Sequence, residues 1–232
     1  MKIPLEEWVN GRAFTPQRFV ESNYIDTPNN NWISWVSMED KNPLYKANKL
    51  EWLSLNESIT KTIDYMEEVD NLLFGGIYEG SLDNEDALQI RQEIGMPPKQ
   101  CCPIYFITVG TGESERVVYI GKTKSASRFK GGHSVALKLH NPKYNGLEKS
   151  IYRASIWFYF NDDYLALDWI KPTSLAEDIF DSIESQLIYD FQPELNTDKK
   201  SKNLAKWHFG LQIESHLPGK FLHNERMKSI ST

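Results

Sequence analysis

The stretch CCPIYFITVGTGESERVVYIGKTKSASRF, residues 101–129, places two runs of strand-forming residues on either side of a short polar loop. Ile104, Tyr105, Phe106, Ile107 and Val109 make the first run, Val117 to Ile120 the second, and GTGESER lies between them. This pattern predicts an antiparallel hairpin. Directly after the second run come Gly121 and a series of cations: Lys122, Lys124, Arg128 and Lys130. A competing stretch, LLFGGIYEG at 72–80, also contains Gly-Ile-Tyr. Its glycines follow a helical periodicity, where a helix end calls for a left-handed residue, and Ile77-Tyr78 make a connector too short for a useful strand.

The flanking segments supply the rest of the fold. Upstream, Ile59, Ile63, Met66, Val69 and Leu73 recur at spacings of three and four, which predicts a helix from about Asn56 to Gly75-Gly76. A second helix fits Asp83 to Ile94, closed by Gly95 and followed by Pro97-Pro98. Residues 1–50 hold Trp8, Trp32, Trp35 and an NNN turn without clear periodicity. Downstream, YRASIWFYF at 152–160 reads as a third strand. After Pro172, Ser174-x-x-Glu177 fits a capping box, and Ala176, Ile179, Phe180, Ile183, Leu187 and Phe191 form one apolar stripe. Glu184 falls about 40° from Phe180 and from Ile188, at the edge of that stripe. A carboxylate there must be paired, protonated or bound to a metal. The expected fold is α/β, with a small antiparallel three-stranded sheet flanked by helices over 101–200, a largely helical extension over 1–100 and a tail over 201–232.

With 40% hydrophobic and 12% aromatic residues in 232, the chain can bury a substantial core. The start, MKIPLEEW, lacks the apolar run of a secretory signal, and no stretch approaches the roughly 18 apolar residues of a membrane span, so a cytoplasmic protein with no membrane partner is expected. Cys101 and Cys102 are adjacent, poorly placed for a mutual disulfide and too few for a zinc site. The net charge of −6 is unevenly distributed. From Arg116 to Arg153 nine cations face one anion, whereas from Glu57 to Glu93 ten anions face two cations. The first block is the candidate phosphate-binding surface, and the plainer reading is a pair of solvated faces.

Together these residues resemble the GIY-YIG endonuclease superfamily, over about 102–197. Pro103-Ile104-Tyr105 stands at the GIY element, with Pro in place of the usual Gly, and Tyr119-Ile120-Gly121 matches YIG letter for letter with Lys122 after it. Arg128 occupies the helix arginine position, and His133 the histidine position with one residue more than the usual spacing, His140 being the substitute. Glu184 corresponds to the metal-binding glutamate and Asn196, in PELN, to the asparagine beyond it. Singly, each has an ordinary reading as a packing, surface or turn residue; the order is what independent packing does not explain.

The resemblance implies a phosphodiester hydrolase acting on DNA, double-stranded, with one Mg²⁺ (or Mn²⁺) per active site held by Glu184. Tyr105 would be the general base, since nearby cations favour a phenol's ionised form. Tyr119 and His133 would position groups or relay protons, and Arg128, Lys122, Lys124 and Lys130 would hold phosphate. Gly121 and Asn196 would support the site. Nothing resembles the extra modules of the family's excision-repair or resolvase members, which points to restriction or anti-phage defence. A homing, mobile-element or repair endonuclease is an alternative, as is a catalytically inactive nucleic-acid- or protein-binding module. A homo-oligomer is compatible with all of these.

Overall fold

The computed structural model describes residues 4–10, 32–73, 82–99, 101–123, 127, 129–130, 133–160, 163–215, 217 and 226–228. In chain order the elements are α1 (Pro4–Val9), β1 (Ile33–Pro43), α2 (Leu55–Leu72), α3 (Asn84–Glu93), β2 (Ile104–Val109), β3 (Arg116–Lys122), α4 (Ser134–Lys138), β4 (Lys149–Phe160), β5 (Asp163–Ala166), α5 (Thr173–Phe191), β6 (Gly210–Ser215) and β7 (Arg226–Lys228). The class is α/β, as expected, and the hairpin forms where the two runs place it, with Tyr105 opposite Gly121 and Phe106 opposite Ile120. In the connecting loop Gly110 has φ +92°, and a Cβ there would lie 2.6 Å from the Ser114 carbonyl oxygen. Glycine is required at that position.

The expected three-stranded antiparallel sheet is corrected to a mixed sheet of seven strands, ordered β3-β2-β4-β1-β6-β7 with β5 also on β4. The expected strands form one wing, β3-β2-β4. Strand β4 has a second edge to satisfy, and β1 covers it antiparallel from Pro43 opposite Ser150 to Ile33 opposite Tyr159. Strand β6 then adds parallel to β1. The N-terminal residues thus contribute a central strand as well as helices, and residues beyond 201 contribute β6 and β7.

Every residue of β2 is buried, because helices or loops cover both faces of the sheet there. Ile104 and Phe106 turn to one side with Ile120 and Tyr152, where Ile179, Phe180, Ile183 and Leu187 of α5 and Met66 and Val69 of α2 complete the main core. Tyr105, Ile107 and Val109 turn to the other with Val118, Ile151, Val135 of α4, Phe129 and Trp52. Helix α2 starts on a true capping box: Ser54 Oγ accepts from the Glu57 N–H, and Glu57 Oε2 accepts from the Ser54 N–H. For α5 the expected Ser174–Glu177 box is not what starts the helix. Pro172 is its N-cap, with no side-chain cap bond, and its carbonyl accepts from the Leu175 N–H at 2.9 Å. Gln192, at φ 50°, ends it in the left-handed region.

Candidate active site

The edge strand β3 carries three of the residues singled out in sequence. A Cβ on Gly121 would lie 2.5 Å from Tyr105 Oη and 2.7 Å from Tyr119 Cε1, so the Tyr105 phenol occupies the space that any other side chain would fill. Tyr105 is fully buried, and its Oη is 2.8 Å from His133 Nε2. His133 is the N-cap of α4, where its Nδ1 accepts from the Val135 N–H at 3.2 Å. With Nδ1 accepting, the neutral ring carries its proton on Nε2 and donates it to Tyr105 Oη. Phe129 stacks on His133 at 5.1 Å, and Trp52 stacks on Phe129 at 4.6 Å. Tyr119 lies against both partners, its ring 5.6 Å from that of His133 and 6.1 Å from that of Tyr105.

Glu184 projects from α5 on the other side of β3 and is 7% exposed. Its Oε2 accepts from Lys199 Nζ at 2.6 Å and lies 3.2 Å from Lys122 Nζ. Lys122 also donates to Asp181, one helical turn before Glu184, and its ammonium sits 5.6 Å from the Phe180 ring. The carboxylate that sequence placed at the edge of the apolar stripe is therefore paired, to two lysines. Asn196 has a separate task. Its Oδ1 accepts from the Ile120 N–H at 2.9 Å and its Nδ2 donates to the Ile120 carbonyl at 2.8 Å, while the Leu195 N–H bonds the Val118 carbonyl at 2.8 Å. The post-helix segment thereby satisfies the outer edge of β3.

These two halves share a cleft of about 240 Å³, lined by Tyr119, Ser134, Val135 and Lys138 on one side and by Glu184, Asn196, Asp198 and Lys199 on the other. Tyr105 and His133 stand behind Tyr119 and do not line it. Lys130 is exposed, and so is His140, beyond the end of α4, whereas His133 makes the contact with Tyr105. Arg128, Lys124 and the competing Gly75-Gly76-Ile77-Tyr78 lie outside the described residues. Sequence reasoning missed Lys199, Asp181, Phe129 and Trp52. Asp181 carried a signal, the i, i+3 spacing to Glu184 on one helix; Trp52 and Lys199 reach the site only through tertiary folding.

Among the described residues no group of three or more His, Cys, Asp or Glu is placed to hold a metal ion. The carboxylates lining the cleft are Glu184 and Asp198, and so small a set would fit an ion such as Mg²⁺ that retains most of its waters and shares phosphate oxygens. A larger cavity of about 660 Å³ lies elsewhere, lined by Glu39, Asp40, Glu51, Trp52, Cys102 and Arg153 among others. Along its wall Arg153 Nε donates to Asp40 at 3.0 Å, and Glu39 accepts from the Ser155 hydroxyl. Neither cysteine is in a disulfide, and burial, helped by the Glu39 carboxylate, pushes the Cys102 thiol up to about 12, away from nucleophilic use. No known family's profile matches this chain, and neither the curated proteins nor the solved structures contain a significant match to it.

Proposed function

We propose that this chain is a divalent-metal-dependent endonuclease that hydrolyses DNA phosphodiester bonds, of the GIY-YIG type, with restriction or anti-phage defence as its setting. The observation that carries the reading is the cleft that Tyr119 shares with Glu184. The supporting order is hairpin, short helix, strand and long helix, with the Tyr105 strand central in the β3-β2-β4 wing. Tyr119 is the phenol that meets substrate, since it lines the cleft, and the buried Tyr105–His133 pair orients it from behind. This modifies the sequence expectation that Tyr105 itself activates water. Glu184 would hold the single Mg²⁺ or Mn²⁺, which supplies charge neutralisation at the phosphate and an activated water when bound. Lys138 and Lys199, which line the cleft, would meet phosphate oxygens, and Asn196 ties the segment after α5 to β3.

The test is incubation of supercoiled plasmid with the purified chain and Mg²⁺ or Mn²⁺, for wild type, Glu184→Gln and Tyr119→Phe. Wild type should nick or linearise the plasmid, Glu184→Gln should be inactive, and Tyr119→Phe should lose about 10²- to 10⁴-fold, the usual range for a proton-transfer group. A Glu184→Gln protein as active as wild type would sink the assignment. A second reading, a binding module that retains the fold without catalysis, is favoured by the pairing of Glu184 with two lysines and by the full burial of Tyr105. Wild type that binds duplex DNA or a protein partner but cuts under neither metal would put that reading first.

A further inference from the structure

The two lysines on Glu184 are held differently. Lys122 has other anchors, since it donates to Asp181 and packs its ammonium against the Phe180 ring. Lys199 has Glu184 as its one ionic partner among the described residues, and it lines the cleft. Its backbone is in the left-handed region, at φ 64°, where a residue with a Cβ sits at a cost. The residue that follows it is tied back twice to the segment after α5. Gln192 Nε2 donates to the Lys200 carbonyl at 2.9 Å, and Lys200 Nζ donates to the Pro193 carbonyl at 3.0 Å. The fold thus maintains an unfavourable backbone conformation whose result is an ammonium 2.6 Å from the cleft carboxylate.

We propose that Lys199 is a displaceable counter-ion. It neutralises Glu184 in the resting protein and, when a divalent cation takes the carboxylate, its ammonium is repelled into the cleft and pairs with the incoming phosphate. This rests on the reading of Glu184 as the metal ligand. Lys122, anchored on Asp181, stays in place. The arrangement makes metal and substrate binding cooperative, because each removes the obstacle to the other: the phosphate offers Lys199 a new partner, and the lysine's departure frees Glu184.

The experiment is a calorimetric titration of the full chain with Mn²⁺ in the absence of DNA, for wild type, Lys199→Met, Lys199→Gly, Glu184→Gln and, as a control, Lys206→Met, whose lysine pairs with Asp178 away from the cleft. Lys199→Gly keeps the test valid if the longer side chain perturbs the turn. Removing a half-shielded competing ammonium should tighten Mn²⁺ by about tenfold in both Lys199 variants, with no change in the control. Binding of a short duplex in Ca²⁺, read by fluorescence anisotropy, should weaken in the same two variants. Lys199 variants that bind Mn²⁺ no more tightly than wild type, while Glu184→Gln does not bind it, overturn the counter-ion role alone. Isotherms for wild type and the Lys199 variants that match that of Glu184→Gln overturn the metal reading of Glu184 and this proposal with it.

Discussion

Replacing Asn196 tests how the site is held together. The side chain is buried and bonds both backbone groups of the buried Ile120, at 2.9 and 2.8 Å. Asn196→Ala removes two hydrogen bonds, each about 1 kcal/mol net, and leaves a donor and an acceptor of Ile120 without partners, which adds about 1 to 3 kcal/mol for a group that water does not reach. The expected loss is about 3 to 5 kcal/mol. Asn196→Asp is more diagnostic, because the introduced carboxylate still accepts from the Ile120 N–H but opposes the Ile120 carbonyl with a charge. Protonated, it donates to that carbonyl and restores both bonds. The folded state then holds the proton more tightly than the unfolded state, so the variant's stability falls as pH rises from the unfolded carboxyl value, about 4, through the higher folded one. Urea unfolding followed by tryptophan fluorescence at pH 4.5 and 7.5 measures this, with wild type as reference. An alanine variant within about 0.5 kcal/mol of wild type, or an aspartate variant whose pH dependence parallels wild type, would refute the claim that this side chain closes the β3 edge.

Gly121→Ala should cost about 1 to 3 kcal/mol, since the new methyl falls within 2.7 Å of both phenols and the fully buried Tyr105 would have to shift. It should also break the Tyr105–His133 bond, visible as a shift of the His133 ring signals in NMR; unchanged stability and unchanged ring signals would refute the close approach. Arg116 and Lys143 both bond Glu194, and the Lys143 bond, then the Arg116 bond, lowers its carboxyl from 4.5 to about 2. A depressed carboxyl contributes stability that is complete above pH 4.5 and lost as pH falls toward 2, at most about 1 kcal/mol for so exposed a group. Glu194→Gln should flatten that part of the acid-unfolding curve, and a curve of unchanged shape would refute the contribution.

Much of the β3-β2-β4 wing was legible because its signals are local. Glycines with a steric reason and cap residues depend on neighbours within a few positions. Helix α3 begins where Asp83 can accept from the Glu85 and Asp86 N–H groups, a signature contained within four residues. The near-continuous apolar run of β2 also read correctly, since burial on both faces leaves that trace. No such trace marks β1. Val36, Ser37 and Met38 are buried in succession, so ISWVSM shows no period-two alternation, and its partners lie more than a hundred residues away on β4. Nor could the Ser174–Glu177 spacing be told from a working capping box. The motif was present, but Pro172, just ahead of it, takes the cap.

Charge was the least legible property, because pairing depends on tertiary distance. The basic block of Arg116 to Arg153 reads as one cationic face in sequence, yet the fold gives most of its described members acceptors, several of them on distant segments. Arg116 and Lys143 converge on Glu194, Arg153 is bound by Asp40 of β1, Lys122 lies between Asp181 and Glu184, and Lys149 bonds the Tyr144 and Leu147 carbonyls. Only surplus positive charge attracts phosphate beyond what these pairs already satisfy. Of the described cations, Lys138 and Lys199 line the cleft, and Lys130 is exposed close by in sequence to His133. A nucleic acid approaching this face would therefore be held by a few ammonium groups at the cleft rather than by the whole block. Under the proposed function, affinity from the described residues would then come largely from exchange of partners, as carboxylate–lysine pairs open and phosphates replace them, a route open to a chain of net charge −6.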